Sequence, residues 1–166
     1  MITDYDLPVE EAVCNAETRK HILKVAEKLL IVIQCLQTRA RRHDASKLGD
    51  EERPLFAAST QKLRGLTYGS EEYTAALKLL GPALTHHYSV NRHHPEHFPE
   101  GVDGMNLVDI VELLCDFAAA VERHEDGDLM KSIEINKERF GFSDQLTQIF
   151  RNTAWLLMPG MPVPPE

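Results

Sequence analysis

The sequence has few cysteines, and they do not lie in pairs. Cys14, Cys35 and Cys115 are odd in number, widely separated, and include no Cys-x-x-Cys spacing. A small disulfide-stabilised domain needs an even set of closely spaced cysteines. The three thiols are therefore expected to be reduced, as is usual in a cytoplasmic protein.

Long hydrophobic runs are also missing. The longest, residues 29–33 (Leu-Leu-Ile-Val-Ile), is far shorter than the roughly 20 apolar residues that span a bilayer. We see no signal peptide, internal repeat or low-complexity tract. These observations predict a cytoplasmic protein that has no membrane partner.

Basic residues are fewer than acidic residues. Eighteen Lys and Arg residues face 26 Asp and Glu residues, which gives a formal net charge of -8 and a pI near 5.5. This balance argues against binding a nucleic-acid polymer, which requires a basic surface. A small phosphorylated substrate remains compatible, because a few basic side chains around a metal are sufficient to hold it.

No stretch shows sustained alternation of apolar and polar residues, so we expect an all-α fold. The length of 166 residues suits one helical bundle of about six to seven helices. We expect an N-terminal arm at 1–15, a helical domain at 16–157 and a Pro-rich tail at 158–166. The predicted helices cover about 16–42, 55–64, 106–124, 129–140 and 143–157, with another beginning at Ser70.

Five of the eight histidines lie within thirteen residues, 85–97. Imidazole is the commonest transition-metal ligand in proteins, so this density favours a metal or catalytic site over a solvated surface. His86 and His93 are seven residues apart, as are His87 and His94, which is about 10 Å on a continuous helix. Either the helix ends near 91–92 and turns back, or two metals bind, or one ring of each pair is a ligand.

Two other segments carry side chains that suit such a site. His43 and Asp44 are adjacent, with Lys47 three residues later, and Asp116 lies among apolar residues of a predicted helix. An unpaired carboxylate in that apolar setting would be costly. Imidazoles and carboxylates together form a mixed nitrogen and oxygen site suited to Mn, Fe, Co, Ni or Zn.

The order of these segments resembles the HD superfamily of metal-dependent phosphohydrolases. His21, the pair His43-Asp44, the segment 86–97 and Asp116 follow that family's signature over roughly residues 18–120. The layout is similar to the HD-GYP branch, although residues 101–103 (Gly-Val-Asp) stand near the place of its Gly-Tyr-Pro. The chain also resembles short HD-like proteins with an Asn-x-His-His-Pro-Glu run.

The resemblance implies an all-α HD-type domain that binds one or two divalent ions, Mn, Fe, Co, Ni, Zn or Mg. His87 is slightly preferred over His86 because it continues a leucine stripe, and Asp116 is preferred over Asp109. His21 is included on the resemblance alone, since about 33 Å of unbroken helix would separate it from His43. The expected ligands are His21, His43, Asp44, His87, His94 and Asp116.

The remaining polar residues receive roles in hydrolysing a nucleotide or another small phosphoester. Lys47 is expected to bind phosphate or stabilise the leaving oxygen, and His93 or Glu96 to donate a proton. The alternative for Lys47 is a solvent-exposed position without a catalytic role. The alternative for Arg92 and Glu96 is a surface ion pair. The expected substrate-binding or supporting residues are Asn91, Arg92 and His97.

Two other functions fit the same sequence. A two-iron HD site can activate oxygen, so an HD-type di-iron oxygenase is one alternative. The second is a non-catalytic helical module that binds metal or a protein partner through its histidines. A homo-oligomer is possible in each case, because the tail beyond Trp155 is apolar and Pro-rich.

Overall fold

A computed structural model describes residues 7–63, 66, 70–72, 80–123 and 126–158. All regular secondary structure in these residues is helical, so the predicted all-α fold is confirmed. Short 3-10 helices lie at Ala45–Leu48, Pro95–His97 and Gly101–Gly104. The six α-helices of the described residues are α1 (Val9–Arg42), α2 (Arg53–Leu63), α3 (Gly81–Val90), α4 (Leu107–Val121), α5 (Leu129–Phe140) and α6 (Asp144–Leu157).

The chain divides into two compact units, the first ending at Arg41 and the second beginning at Arg42. The sequence predicts one helical domain across 16–157. The first unit consists of α1, which begins at Val9 rather than at residue 16. The Pro8 carbonyl accepts a hydrogen bond from the Ala12 amide. Acidic residues in the first turn also favour an early start, because they interact well with the positive end of the helix dipole.

The second unit has its core where α4, α5 and α6 pack together. Leu113 and Phe117 of α4, Ile133 of α5 and Phe150 of α6 are all buried in this cluster. Each helix has a side-chain cap: Asn106 for α4, Asp128 for α5 and Ser143 for α6. The predicted bounds 129–140 and 143–157 agree with the structure.

Helix α3 positions the histidine segment. Pro82 stands in its first turn, where a missing amide hydrogen costs nothing, so Pro82 marks the start of a helix rather than a kink. The helix ends at Val90, and the extended backbone of Asn91 turns the chain. Of the alternatives left open by the sequence, the helix that ends and turns back is the one observed.

The predicted loop at 95–105 contains two of the 3-10 helices. Gly104 packs so closely on the Phe98 ring that an added Cβ would lie 2.8 Å from the Phe98 Cβ. None of the described helices has the length and apolar character needed to cross a membrane. The predicted tail falls outside the described residues after Met158, as does most of the helix predicted after Ser70.

Candidate metal centre

Six side chains that favour metals converge in the second unit. They come from the chain just after α1, from α3, from the turn that follows it and from α4. Two groups have ligand atoms that all lie within 4.8 Å of one another, and His93 belongs to both. The first group is Asp44, His87, His93 and His94, and the second is His43, His93 and Asp116.

The end of α3 explains how residues seven apart in sequence meet. His87 lies in the last turn of α3, and the chain reverses at Asn91 before it reaches His94. As a result, His87 Nε2 lies 2.9 Å from His94 Nε2. The Asn91 side chain holds this turn through hydrogen bonds from its amide to the His87 carbonyl and to Ser46 Oγ.

Asp44 lies at the middle of the centre. Its backbone is left-handed, with a φ of 56°, the one positive φ outside glycine among the described residues. A non-glycine residue in this conformation is uncommon, although Asp tolerates it better than most. One carboxylate oxygen, Oδ2, accepts a hydrogen bond of 2.5 Å from Lys47 Nζ. The other, Oδ1, lies 3.1 Å from His87 Nε2 and 3.5 Å from His93 Nε2.

Two buried polar atoms at this centre have no hydrogen-bond partner: Asp44 Oδ1 and His93 Nε2. Buried polar atoms without a partner are rare, because each loses its hydration without compensation. A cation between them would coordinate both. The donor set therefore fits a divalent metal ion.

Glu112 of α4 supports two of the rings from behind. Its Oε1 lies 3.1 Å from His43 Nδ1 and 3.3 Å from His93 Nδ1. The Nε2 atoms of both rings are then left to face Asp116, at 3.5 Å for His43 and 4.0 Å for His93. A carboxylate behind a histidine fixes its tautomer and makes it a stronger ligand.

Glu52 has the same relationship to His87. It is completely buried, and its Oε2 lies 2.9 Å from His87 Nδ1. Its second oxygen, Oε1, lies 2.7 Å from His86 Nδ1. His86 is therefore bonded to Glu52 outside the two ligand groups, whereas His87 contributes to one of them.

The carboxylates and histidines shift one another's pKa values. Hydrogen bonds to Asp116 and Glu112 raise the pKa of His43 to about 10. Burial alone would raise the pKa of Asp44, but the nearby His87 ring and the Lys47 ammonium group hold this pKa well below its usual range. Burial, together with the charges of His93 and His87, lowers the pKa of His94 to about 3. His94 is thus neutral, as a ligand must be.

Several predicted site residues have structural partners instead. Arg92 donates two hydrogen bonds to Asp109, of 3.1 and 2.8 Å, and stacks over Phe98. Asp109 is fully buried and also completes the capping box of α4 with Asn106. Asp109 is therefore committed to this ion pair, while Asp116, seven residues later, contributes to the centre.

The other predicted substrate and proton-donor residues lie around the cluster. His97 Nδ1 lies 3.1 Å from the Tyr88 carbonyl oxygen. Glu96 accepts a hydrogen bond of 2.7 Å from Arg139. His93 is predicted as a proton donor, but it belongs to both groups of potential ligands, and its Nε2 atom is buried.

His21 is not brought to the centre by a turn of its helix. The helix α1 is unbroken from Val9 to Arg42, so the turn near residues 30–34 that His21 would require does not form. His21 is exposed and belongs to neither ligand group among the described residues. The resemblance alone suggested this ligand.

Sequence reasoning missed Glu112 and Glu52. Glu112 precedes Asp116 by four residues, and residues spaced by four share a helix face, so this signal was available. Glu52 lies in a polar connection that contains no comparable pattern. Its role depends on tertiary packing against α3.

The chain belongs to a family described as "Family of unknown function (DUF5662)", whose sequence pattern matches residues 10–156. No significant match was found among the curated proteins or the solved structures.

Proposed function

We propose that this DUF5662 protein is a metal-dependent phosphohydrolase that acts on a small phosphoester such as a nucleotide. The observation that carries the proposal is the convergence of six nitrogen and oxygen ligands around two buried, unpaired atoms, Asp44 Oδ1 and His93 Nε2. Mn, Fe, Co, Ni and Zn suit this donor set better than Mg, which prefers oxygen ligands.

The two ligand groups provide places for two ions. His43 and Asp116 would hold one ion, and His87 and His94 the other. Asp44 lies between them, since its Oδ2 is 3.6 Å from His43 Nε2 and its Oδ1 is 3.1 Å from His87 Nε2. Asp44 would therefore help to hold both ions.

Bound divalent ions would lower the pKa of a coordinated water and neutralise phosphate oxygens. The protein's own residues prepare the site for that chemistry. Glu112 and Glu52 hold three imidazole rings in position. Lys47 is partly exposed beside Asp44, so its ammonium group can reach a phosphate oxygen and stabilise charge in the transition state.

Glu96 is the remaining candidate for the proton donor, since His93 would be one of the metal ligands. Glu96 is held by Arg139, which also interacts with Tyr88, and the Tyr88 ring lies 4.8 Å from that of His94. This contact chain links Glu96 to the edge of the metal centre. A Glu96→Gln substitution is expected to lower kcat without lowering metal content.

Relationship to the HD superfamily remains part of the proposal. It is supported by the meeting of the adjacent pair His43 and Asp44 with Asp116, which lies far along the sequence and follows that family's order. The departures are the position of His21 and the missing Gly-Tyr-Pro. Hydrolysis of a cyclic dinucleotide is therefore not proposed.

The test combines metal analysis with a screen for phosphate release. Untagged protein would be assayed with Mn, Co, Ni and Mg against nucleotides and generic phosphoesters. We expect one or two ions per chain and hydrolysis by wild type. Lys47→Ala should keep the ions but lose about a hundredfold in kcat. Lys131→Ala, which replaces an exposed lysine on α5, is the matched control.

A metal-loaded protein that releases no phosphate from any of these compounds would contradict the proposal. The two adjacent ligand groups also suit a pair of irons. Two irons per chain with oxygen consumption, and without phosphate release, would therefore favour the di-iron oxygenase. Protein that binds none of the added ions would favour a non-catalytic role.

A further inference from the structure

Helix α1 presents an extended apolar surface. None of its 34 residues is buried. Ile22 and Leu29 are each 58% exposed, and Ile33 is 46% exposed. Helices in proteins gain most of their stability by packing an apolar face, and large exposed apolar patches are typical of interaction sites.

Aliphatic residues of α1 form a continuous stripe. The exposed residues Ile22, Val25, Leu29 and Val32 and the half-buried Leu36 follow spacings of three and four residues, which is the pattern of a helix that packs along another helix. A shallow groove on this face is lined entirely by α1 side chains, among them Val25, Leu29 and Val32 together with Lys24 and Lys28. The face therefore has the shape and chemistry to receive a second helix.

The charges of α1 indicate which helix that is. From Val9 to Thr18 the helix carries three acidic residues and no basic ones, Glu10, Glu11 and Glu17. From Gln34 to Arg42 it carries three basic residues and no acidic ones, Arg39, Arg41 and Arg42. Two copies running in opposite directions would place each acidic end beside a basic end. Two parallel copies would place like charges together at both ends.

We propose that α1 is a dimerisation helix that pairs with α1 of a second copy of this chain in antiparallel orientation. The apolar stripe supplies the buried contact, and the opposite charges of the two ends select the orientation. The contact is symmetric, because the same stripe is used by both copies. The proposal is independent of the chemistry of the metal centre.

The first experiment is light scattering on the full chain over a concentration series. Wild type is expected to be a dimer, and Val25→Glu/Leu29→Glu to be a monomer, with a dissociation constant at least tenfold higher. Leu156→Glu on α6 is the matched control, because Leu156 is a similarly exposed leucine outside α1. Retained helical circular dichroism would show that each variant is folded.

A second experiment tests the orientation through charge reversal. Glu10→Lys/Glu11→Lys and Arg41→Glu/Arg42→Glu should each weaken the dimer several-fold, and their combination should restore it. In a parallel pair the reversals would exchange one like-charge contact for another and leave affinity unchanged. Three results would overturn the proposal. They are a dimer affinity that the charge reversals leave unchanged, a wild type that is monomeric at all concentrations, and a dimer that is broken by Leu156→Glu rather than by Val25→Glu/Leu29→Glu.

Discussion

The Nε2 atoms of His87 and His94 lie 2.9 Å apart, although seven residues separate them. Two neutral rings at this distance can form an N–H···N hydrogen bond, or both can turn their lone pairs towards one cation. The pKa of His94 is lowered to about 3 by burial and by His93 and His87, so the His94 ring is neutral. Two neutral ring nitrogens so close together are the arrangement that a shared metal ion requires.

This geometry predicts that two adjacent histidines differ sharply in metal binding. His87→Ala removes an atom of the cluster and should weaken metal affinity by more than a hundredfold. His86→Ala removes only a contact to Glu52 and should change affinity by less than about tenfold. Competition with a chromogenic chelator measures both. Equal losses in the two variants would argue against the assignment of His87.

Glu112 belongs to neither ligand group, yet its position predicts that it affects metal affinity. Its carboxylate orients His43 and His93, so Glu112→Gln should weaken metal binding by about 10- to 100-fold. The fold should be retained, because glutamine has nearly the same shape. Glu122→Gln, at the exposed end of α4, is the matched control. Unchanged affinity in Glu112→Gln would show that the Nδ1 contacts are incidental.

Asp109 is predicted to matter for stability and not for metal binding. Asp109→Ala removes the pairing with Arg92 and the capping box of α4, and should lower the free energy of unfolding by about 2 kcal/mol. Chemical denaturation would measure this loss, with Asp103→Ala as an exposed control. A variant that keeps its stability but loses its metal would mean that Asp109, rather than Asp116, is the ligand.

Local sequence signals predicted much of the second unit. The N-caps Asn106 and Ser143 and the helical periods of α4, α5 and α6 are short-range features, and the structure agrees with them. The spacing of the histidines restricted the geometry after α3 to a few alternatives. One of these, the turn at Asn91, is observed.

Other features of the site depend on contacts between distant segments. Glu52 is buried because α3 places His86 and His87 against it, and no local pattern marks that contact. The left-handed backbone of Asp44 is likewise set by its surroundings. His21 shows the reverse case: a family resemblance suggested it as a ligand, but it belongs to neither ligand group among the described residues, and α1 is unbroken around it.

The raised pKa of His43 predicts that metal binding releases a proton. Without metal, Asp116 and Glu112 hold the pKa of His43 at about 10, so the ring is protonated at pH 8. It must lose that proton to coordinate a cation, while His94 is already neutral. Metal affinity should therefore rise by about tenfold per pH unit as the pH approaches 10. Calorimetry in buffers of different ionisation enthalpy should detect about one released proton, and His43→Gln should abolish it.

The same shift predicts the pH dependence of stability in the metal-free protein. Because folding raises the pKa of His43 above 6.5, its interactions with Asp116 and Glu112 contribute fully below pH 6.5 and are lost as the pH rises through 10. Wild type should therefore lose stability between these values, whereas His43→Gln should lose less. The ion replaces the proton as the charge that balances these carboxylates, so metal-loaded protein should resist the alkaline loss. If alkaline unfolding is identical with and without metal, His43 is not the group that links metal binding to stability at high pH.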